Sequence, residues 1–134
     1  MKLIYSAPIL LAWLMITAVS CTKHKDDFEE KIPVASINFE SPSMSSTYHA
    51  ADSIAIKATA ISTASIHGYD IVIRKANDTT KLFFQHVHEH NDTLYINKKW
   101  KSSVLSSANM EAQVVVYLDH DSNTLSKKAL FKIQ

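Results

Sequence analysis

Three histidines alternate with other residues in the segment His86-Val87-His88-Glu89-His90, the densest group of histidines in the sequence. In an extended strand, residues two apart point to the same face, so these imidazoles would form one row. A neutral imidazole is a common ligand of Zn²⁺ and Cu²⁺. The residue types and their spacing are therefore compatible with a site for Zn²⁺ or Cu²⁺.

Distances limit how one metal ion could use this row. Cα atoms two residues apart in a strand are separated by about 6.6 Å, and Zn–N bonds are only about 2.0–2.1 Å long. One ion could therefore bridge His86 with His88, or His88 with His90, but not all three. A further ligand would have to come from another strand. The candidates are His67, His120, Asp119 and Asp121.

Two other interpretations of the row stay open. It can be the polar outer face of a strand near a sheet edge, because Gln85, Glu89 and Asn91 stand beside it. It can also be a pH-sensitive patch, because imidazole has an unperturbed pKa of about 6.5 and neighbouring charged rings repel one another. The first of these needs no ligand and is favoured over a metal site.

Other chemical motifs are weaker. The segment Asp119-His120-Asp121-Ser122-Asn123 offers several oxygen ligands, but it lacks the glycine and the distal glutamate of an EF-hand. A hairpin turn is the favoured interpretation there. With one glycine in the chain, neither a G-x-S-x-G elbow nor a glycine-rich phosphate loop is present. No catalytic residue is assigned, and we expect a protein that is not an enzyme.

A basic stretch with an aromatic residue, Asn97-Lys98-Lys99-Trp100-Lys101, could bind a glycan or another protein. An exposed tryptophan beside Lys98 and Lys99 would supply an apolar ring next to positive charge. A tryptophan that anchors the core, with its neighbours facing solvent, is the alternative. Asp119 and Asp121 would add an acidic part to the binding surface.

Composition excludes several classes of protein. A formal net charge of +1 in 134 residues gives no strong field for nucleic acid, so none is expected as a partner. The chain is 46% hydrophobic, which argues against disorder. Its single cysteine, Cys21, excludes an intrachain disulfide and a thiolate metal site.

Residues 1–20 have the three parts of a secretory signal. A basic start at Met1-Lys2 precedes a largely apolar run over residues 3–19 and small residues before Cys21. A transmembrane anchor is the alternative, but the apolar run contains Pro8 and is shorter than the roughly 20 residues that a span needs. We therefore expect residues 1–20 to be removed during export.

The run Ala18-Val19-Ser20-Cys21 resembles a lipobox, at which bacterial prolipoproteins are lipidated on cysteine and cleaved just before it. Serine before the cysteine, without leucine three residues before it, is similar to the relaxed form of Bacteroidota. Cleavage by ordinary signal peptidase is the alternative, because Ala18 and Ser20 also suit that enzyme. Lipidation explains the position of the lone cysteine, and acyl chains contribute about 0.8 kcal/mol per buried CH₂ to membrane anchoring.

Residues 21–31 are charged and without periodicity, which is typical of a solvated tether. Within them, Lys25-Asp26-Asp27 is similar to the acidic signal that sends Bacteroidota lipoproteins to the outer face of the outer membrane. The resemblance implies a lipid anchor in the outer membrane and exposure at the cell surface. The periplasmic face is the alternative.

From residue 32 to residue 134 the hydrophobic pattern has a period of two, and Ser, Asn and Asp turns separate apolar runs of strand length. Ile54 and Ile56, for example, would face the core. The pattern predicts an all-β fold of about seven antiparallel strands, with the apolar run at 111–118 as a central strand. The predicted strands are 34–39, 53–61, 69–75, 81–90, 93–97, 111–118 and 126–133.

Three segments, residues 37–42, 52–58 and 114–123, resemble those of bacterial immunoglobulin-like domains. In that family, an opening of Pro, Asp and alternating Ile and Ala is answered by a Val, Asp, Gly and Asn pattern in the penultimate strand. Ser122 stands where glycine is usual. The resemblance covers residues 32–134 and implies an immunoglobulin-like sandwich. The whole chain is similar to small Bacteroidota lipoproteins with one such domain.

These features predict three parts: a signal peptide (1–20), a lipidated cysteine with a charged tether (21–31), and a sandwich domain (32–134). The function expected first is a membrane-anchored, non-catalytic binding or accessory module for a protein or glycan. The alternative is a metal-binding lipoprotein that uses His86, His88 and His90.

Overall fold

The computed structural model describes residues 33–134, which form eight strands and no helix. None of these residues belongs to a helix of the length and hydropathy needed to cross a membrane. The expectations for the signal peptide, Cys21 and the tether fall outside the described residues. The strands are β1 (Ala35–Ser41), β2 (Thr47–Tyr48), β3 (Ser53–Ile66), β4 (Gly68–Lys75), β5 (Lys81–Val87), β6 (Asn91–Lys101), β7 (Ala108–Tyr117) and β8 (Thr124–Ile133).

The strands form two sheets that share one hydrophobic core. The first sheet has the order β1-β3-β6, and the second has the order β2-β8-β7-β4-β5. The first order corresponds to strands A, B and E of the immunoglobulin fold, and β8-β7-β4-β5 corresponds to strands G, F, C and C′. The immunoglobulin-like sandwich predicted from the sequence is therefore confirmed.

Alternating side chains build the core. On β3, Ile54 and Ile56 are fully buried, whereas Lys57 beside them is exposed. On β7, Val114 and Val116 are fully buried as well, and this strand lies between β8 and β4, in the interior of its sheet. Each such side chain contributes about 1.5–3 kcal/mol when it leaves water. The predicted core face of β3 and the central position of β7 are both confirmed.

The strand boundaries differ from the predicted ones in informative places. Strand β2 was not predicted, because its two residues are too few to show a period, and it pairs in parallel with β8. The strands are therefore not all antiparallel. Strand β5 ends at Val87 and not at His90, because the chain leaves the second sheet there and enters the first sheet as β6.

Trp100 belongs to the core, so its assignment to an exposed binding surface is corrected. The side chain is 5% exposed, and Trp100 lies opposite Ile54 in the ladder between β3 and β6. Strand alternation turns the indole inward and leaves Lys99 and Lys101 exposed on the other face. The aromatic ring therefore anchors one end of the sandwich, as in the alternative interpretation of this stretch.

The segment between β7 and β8 is a hairpin turn, as favoured from the sequence. Asp119 Oδ1 accepts hydrogen bonds from the backbone N–H groups of Asp121 (2.8 Å) and Asn123 (3.0 Å), and Oδ2 accepts one from the Asn123 side chain. Ser122 has a φ of 71°, a left-handed conformation that glycine adopts without steric cost. Ser122 therefore adopts a conformation that is usual for glycine.

An ion-pair network joins three strands on the second sheet, on the face turned away from the core. Glu111 on β7 accepts a hydrogen bond from Arg74 Nε of β4 at 2.9 Å and lies 3.2 Å from Lys128 Nζ of β8. Burial by itself raises the pKa of the Glu111 carboxyl, but the hydrogen bonds from Arg74 and Lys128 outweigh burial and hold this pKa below its ordinary value of 4.5.

We expect Glu111 to make the fold sensitive to acid. A carboxyl whose pKa is lowered by folding stabilises the folded state above its unfolded pKa, and this contribution is lost as pH falls through the folded pKa. Glu111→Gln removes the charge, so its deficit in melting temperature relative to the wild type should be largest at neutral pH. The deficit should shrink below pH 4.5.

Thermal melts of both proteins between about pH 3 and about pH 7 measure this difference. Glu40→Gln is the matched control, because Glu40 is exposed and its side chain meets Thr59 rather than a cation. A deficit for Glu111→Gln that stays constant across the range would contradict the expectation.

Candidate functional site

Histidines from three separate connections meet at one end of the sandwich, here termed the histidine end. His67 lies between β3 and β4, His88 and His90 lie between β5 and β6, and His120 lies between β7 and β8. The ring centroids are 4.2 Å apart for His67 and His120 and 4.8 Å apart for His67 and His90. Those of His88 and His90 are 4.6 Å apart. Four of the five histidines predicted as metal ligands are therefore neighbours.

The predicted row along one strand is wrong in its geometry. Only His86 belongs to β5, whereas His88 and His90 lie in the connection that crosses from one sheet to the other. Because this connection is not pleated, the Nε2 atoms of His88 and His90 approach to 2.9 Å. One of these two nitrogens donates a proton to the other, so at least one of the two rings is neutral.

His86 takes part in a different network, on the outer face of the second sheet. Its Nδ1 lies 2.7 Å from Asp70 Oδ1, and the other carboxylate oxygen of Asp70 accepts a hydrogen bond of 2.6 Å from the Tyr117 hydroxyl. This hydrogen bond to Asp70 raises the pKa of Tyr117, and loss of solvent around the hydroxyl raises it further. Asp70 therefore fixes the orientation of both rings, and the Tyr117 hydroxyl keeps its proton.

His67 is the most enclosed member of the cluster. Its Nδ1 is shut off from solvent and has no hydrogen-bond partner among the described residues. Removal from water lowers the pKa of His67 below its ordinary value of 6.5, and repulsion from His120 and His90 lowers it further. His67 is therefore neutral at neutral pH. Buried polar atoms without a hydrogen-bond partner are rare in folded proteins, so this nitrogen is a candidate atom for binding a ligand.

Gly68 allows the connections of the histidine end to approach each other. Its φ is 140°, and a Cβ atom at this position would stand 2.5 Å from the Val87 carbonyl oxygen and 3.3 Å from His88 Cα. Only glycine permits this contact between two backbones. The missing side chain of Gly68 therefore lets the connection that contains His67 lie against the connection that contains His88. A lone glycine directly after a histidine was the signal in the sequence that could have indicated this contact.

The sandwich has a pocket at each end, and the two pockets are lined by residues of different chemical types. The smaller has a volume of about 200 Å³ and lies at the histidine end. The larger, of about 400 Å³, lies at the opposite end, and only Lys132 among its lining residues is charged. The smaller pocket is therefore the better candidate for specific recognition. It is lined by His67, His86, His88, Tyr117, Asp119, His120 and Ser122.

The side chains of the histidine end do not form a closed ligand set as they stand. Within residues 33–134, no group of three or more His, Cys, Asp or Glu side chains is already placed to hold a metal ion. Both carboxylate oxygens of Asp119 are engaged in the hairpin turn, and Asp121 is exposed on it. The histidine nitrogens are therefore the groups best suited to bind a ligand.

The other residues predicted to bind a partner fall at two ends of the molecule. Asn91 begins β6 near the histidine end, whereas Lys98 and Lys99 lie near the other terminus of that strand. Asp119 and Asp121 belong to the β7–β8 turn at the histidine end. The structure therefore does not bring the basic and acidic residues together into one surface.

Comparison with known proteins identifies a solved structure with a similar fold. No protein-family model matches the sequence, and no curated protein matches it. Among solved structures, the chain is similar to the fibronectin(III)-like modules of CbhA from Clostridium thermocellum. The identity is 15%, the match covers 73% of this chain and 94% of that chain, and the TM-score is 0.48. A likeness at this level carries no argument about function, and the fold assignment rests on strand order and register.

We expect Gly68→Ala to destabilise the domain by about 1–3 kcal/mol, because a Cβ at positive φ is strained and collides with the Val87 carbonyl oxygen. Urea unfolding measures the free-energy difference, and NMR contacts between the rings of His67 and His90 report whether the histidine end has opened. Ser65→Ala, in the exposed part of the same segment, is the control and should change stability by less than about 0.5 kcal/mol. Equal stability of the Gly68 and Ser65 variants would contradict this account.

Proposed function

We propose that this protein is an exported lipoprotein, anchored in a membrane through lipidated Cys21, whose sandwich is a non-catalytic binding module. The histidine end is its binding surface. One observation carries this proposal: four histidines from three connections converge at one end of a sandwich whose strands hold those connections in place. Connections at the end of a β-sandwich are a common location for binding sites, because the sheets position them and their sequences can vary.

The shape and chemistry of the histidine end support binding rather than catalysis. Its pocket of about 200 Å³ is smaller than the roughly 300–1,000 Å³ of sites that enclose an organic substrate. The Tyr117 hydroxyl donates to Asp70 and has a raised pKa, so it is a poor nucleophile. Asp70 is occupied by His86 and Tyr117 together. These groups therefore hold one another in place and are not directed at a substrate.

The anchor and the location are supported by the sequence. Residues 1–20 have the organisation of a signal peptide, and Cys21 follows small residues as in a lipobox. The acidic segment Lys25-Asp26-Asp27 supports the cell surface over the periplasmic face. Residues 21–31 would serve as a charged tether between the lipid anchor and the sandwich.

We expect Cys21→Ser to abolish the anchor, because serine lacks the thiol that receives the lipid. In a Bacteroidota host fed a labelled fatty acid, the wild-type chain should carry the label and partition into detergent. The Cys21→Ser chain should carry no label and remain in the aqueous phase. Ser20→Ala is the control and should behave as the wild type does, because alanine is also small. Labelling of the Cys21→Ser chain would refute the assignment of the anchor.

The binding surface can be located without knowing the ligand. We expect hydrogen exchange at the histidine end to be slower in native outer-membrane vesicles than in the purified lipoprotein in detergent, because the vesicles retain the ligand. Peptides that cover His88 to His90 and Asp119 to Ser122 should show this protection. A peptide that covers Lys98 to Lys101, at the opposite end, should exchange equally in both samples. Protection confined to that peptide, or to none, would contradict the proposed surface.

A further inference from the structure

We propose that His67, His90 and His120 form a binding site for a divalent transition-metal ion of the zinc and copper class. The proposal rests on the proposed function only in taking the histidine end as the binding surface. It differs from the pattern predicted from the sequence, which placed the ligands along one strand. Here each ligand comes from a different connection, so a bound ion would link three otherwise separate segments of the chain.

The three rings lie near the separations that one ion requires, although within residues 33–134 they are not already placed as a ligand set. When Zn–N bonds are about 2.0–2.1 Å and the geometry is tetrahedral, two ligating imidazole centroids lie about 5 Å apart. In the cluster, the centroid distances are 4.2 Å for His67 and His120, 4.8 Å for His67 and His90, and 6.5 Å for His90 and His120. Two of these distances are shorter than about 5 Å and one is longer, so the rings must turn before they can hold one ion. The exposed rings of His90 and His120 can rotate to direct a nitrogen at a common point.

The unpartnered nitrogen of His67 is an independent observation that points to the same ligand. This Nδ1 atom is buried, and no described residue donates to it or accepts from it. In the tautomer with the proton on Nε2, this Nδ1 carries a lone pair that coordination of a metal ion would satisfy. Neither His90 nor His120 satisfies it by a hydrogen bond, although their rings lie within 4.8 Å and 4.2 Å of the His67 ring.

His88 is the neighbour best placed to complete the coordination. Its Nε2 lies 2.9 Å from His90 Nε2, close to the roughly 3.3 Å that separates two ligand nitrogens in a tetrahedral site. An ion entering between these two rings would bind both Nε2 atoms once the proton of the donor ring has moved from its Nε2 to its Nδ1, so that two metal bonds replace one hydrogen bond. The fourth position is therefore filled by His88 or by a water molecule.

The donor atoms select the class of ion. Neutral imidazole nitrogens favour Zn²⁺, Cu²⁺ and Ni²⁺, whereas Mg²⁺ and Ca²⁺ require oxygen ligands. The nearest carboxylates are engaged elsewhere: Asp119 accepts hydrogen bonds within the hairpin turn, and Asp70 binds His86 and Tyr117. The site is therefore built from nitrogen and should not bind alkaline-earth ions.

His86 provides a control of the same residue type in the pocket that His67 and His120 also line. Its Nδ1 is bound to Asp70, and its ring contacts Tyr117 rather than another histidine, at a centroid distance of 5.8 Å. Removal of His86 should therefore leave the metal site intact. His49, which is exposed in the segment between β2 and β3, is a second control outside the pocket.

Calorimetric titration of Zn²⁺ into the mature lipoprotein in detergent tests the proposal. We expect one ion per chain and a rise in melting temperature, because only the folded chain brings the three connections together. His90→Ala and His120→Ala should each weaken binding by about tenfold or more, since each removes a ligand. Both residues are exposed, so their removal should preserve the fold. His86→Ala and His49→Ala should change the affinity by less than about twofold.

Co²⁺ supplies a readout of geometry, because a tetrahedral nitrogen site gives intense visible absorption and an octahedral aquo ion does not. We expect this absorption in the wild type and its loss in His120→Ala. Mg²⁺ and Ca²⁺ should give no heat of binding. Absence of Zn²⁺ binding would overturn the proposal, and so would binding that survives both His90→Ala and His120→Ala. If His86→Ala weakened Zn²⁺ binding as much as His90→Ala and His120→Ala do, the assignment of the ligands would be overturned.

The outcomes also separate this proposal from the proposed function. Slow hydrogen exchange of the histidine end on vesicles, without Zn²⁺ binding by the purified protein, would overturn the metal site and leave the binding module standing. If the histidine end exchanges hydrogen as fast in vesicles as in detergent but the purified protein binds Zn²⁺ specifically, the metal site is supported. The same result would contradict the claim that the vesicles retain another ligand at the histidine end.

Discussion

The close approach between the backbone at Gly68 and the carbonyl oxygen of Val87 is the contact on which the histidine end depends. A Cβ atom would stand 2.5 Å from that oxygen, so no other residue type fits without displacement of one segment. Because of this contact, the start of β4, directly after His67, lies against the end of β5, directly before His88. The separations among His67, His88 and His90 follow from it, since each histidine lies within three residues of the contact.

The same region is where the chain passes between the two sheets. Strand β5 pairs only with β4, and after Val87 the chain crosses to pair with β3 as β6. A crossing cannot remain pleated, because the hydrogen-bonding partners lie in a different sheet on either side of it. His88 and His90 are therefore released from the alternation of a strand, and their rings can meet. The position of the crossing decides that these histidines form a cluster rather than a row.

The outer face of the second sheet is organised by paired charges and hydrogen bonds. Arg74, Glu111 and Lys128 join three adjacent strands, and Asp70 joins His86 to Tyr117 nearer the histidine end. The side chains of these two networks are therefore paired with one another. The histidine end differs because the buried His67 Nδ1 has no hydrogen-bond partner within residues 33–134, which makes this end the better candidate for a ligand site.

The periodicity of the sequence was sufficient to predict the fold. Alternation along β3 and β7 identifies the buried residues. The turn residues between the apolar runs give the number of strands, except for the two-residue β2. It also led to the correct hairpin at Asp119. It could not decide whether Trp100 faces the core, because one aromatic in a basic stretch fits either face. Nor could it place His67 and His120 beside His90. Those contacts join residues that are distant in the sequence, and they depend on strand register, on the crossing between sheets and on one glycine.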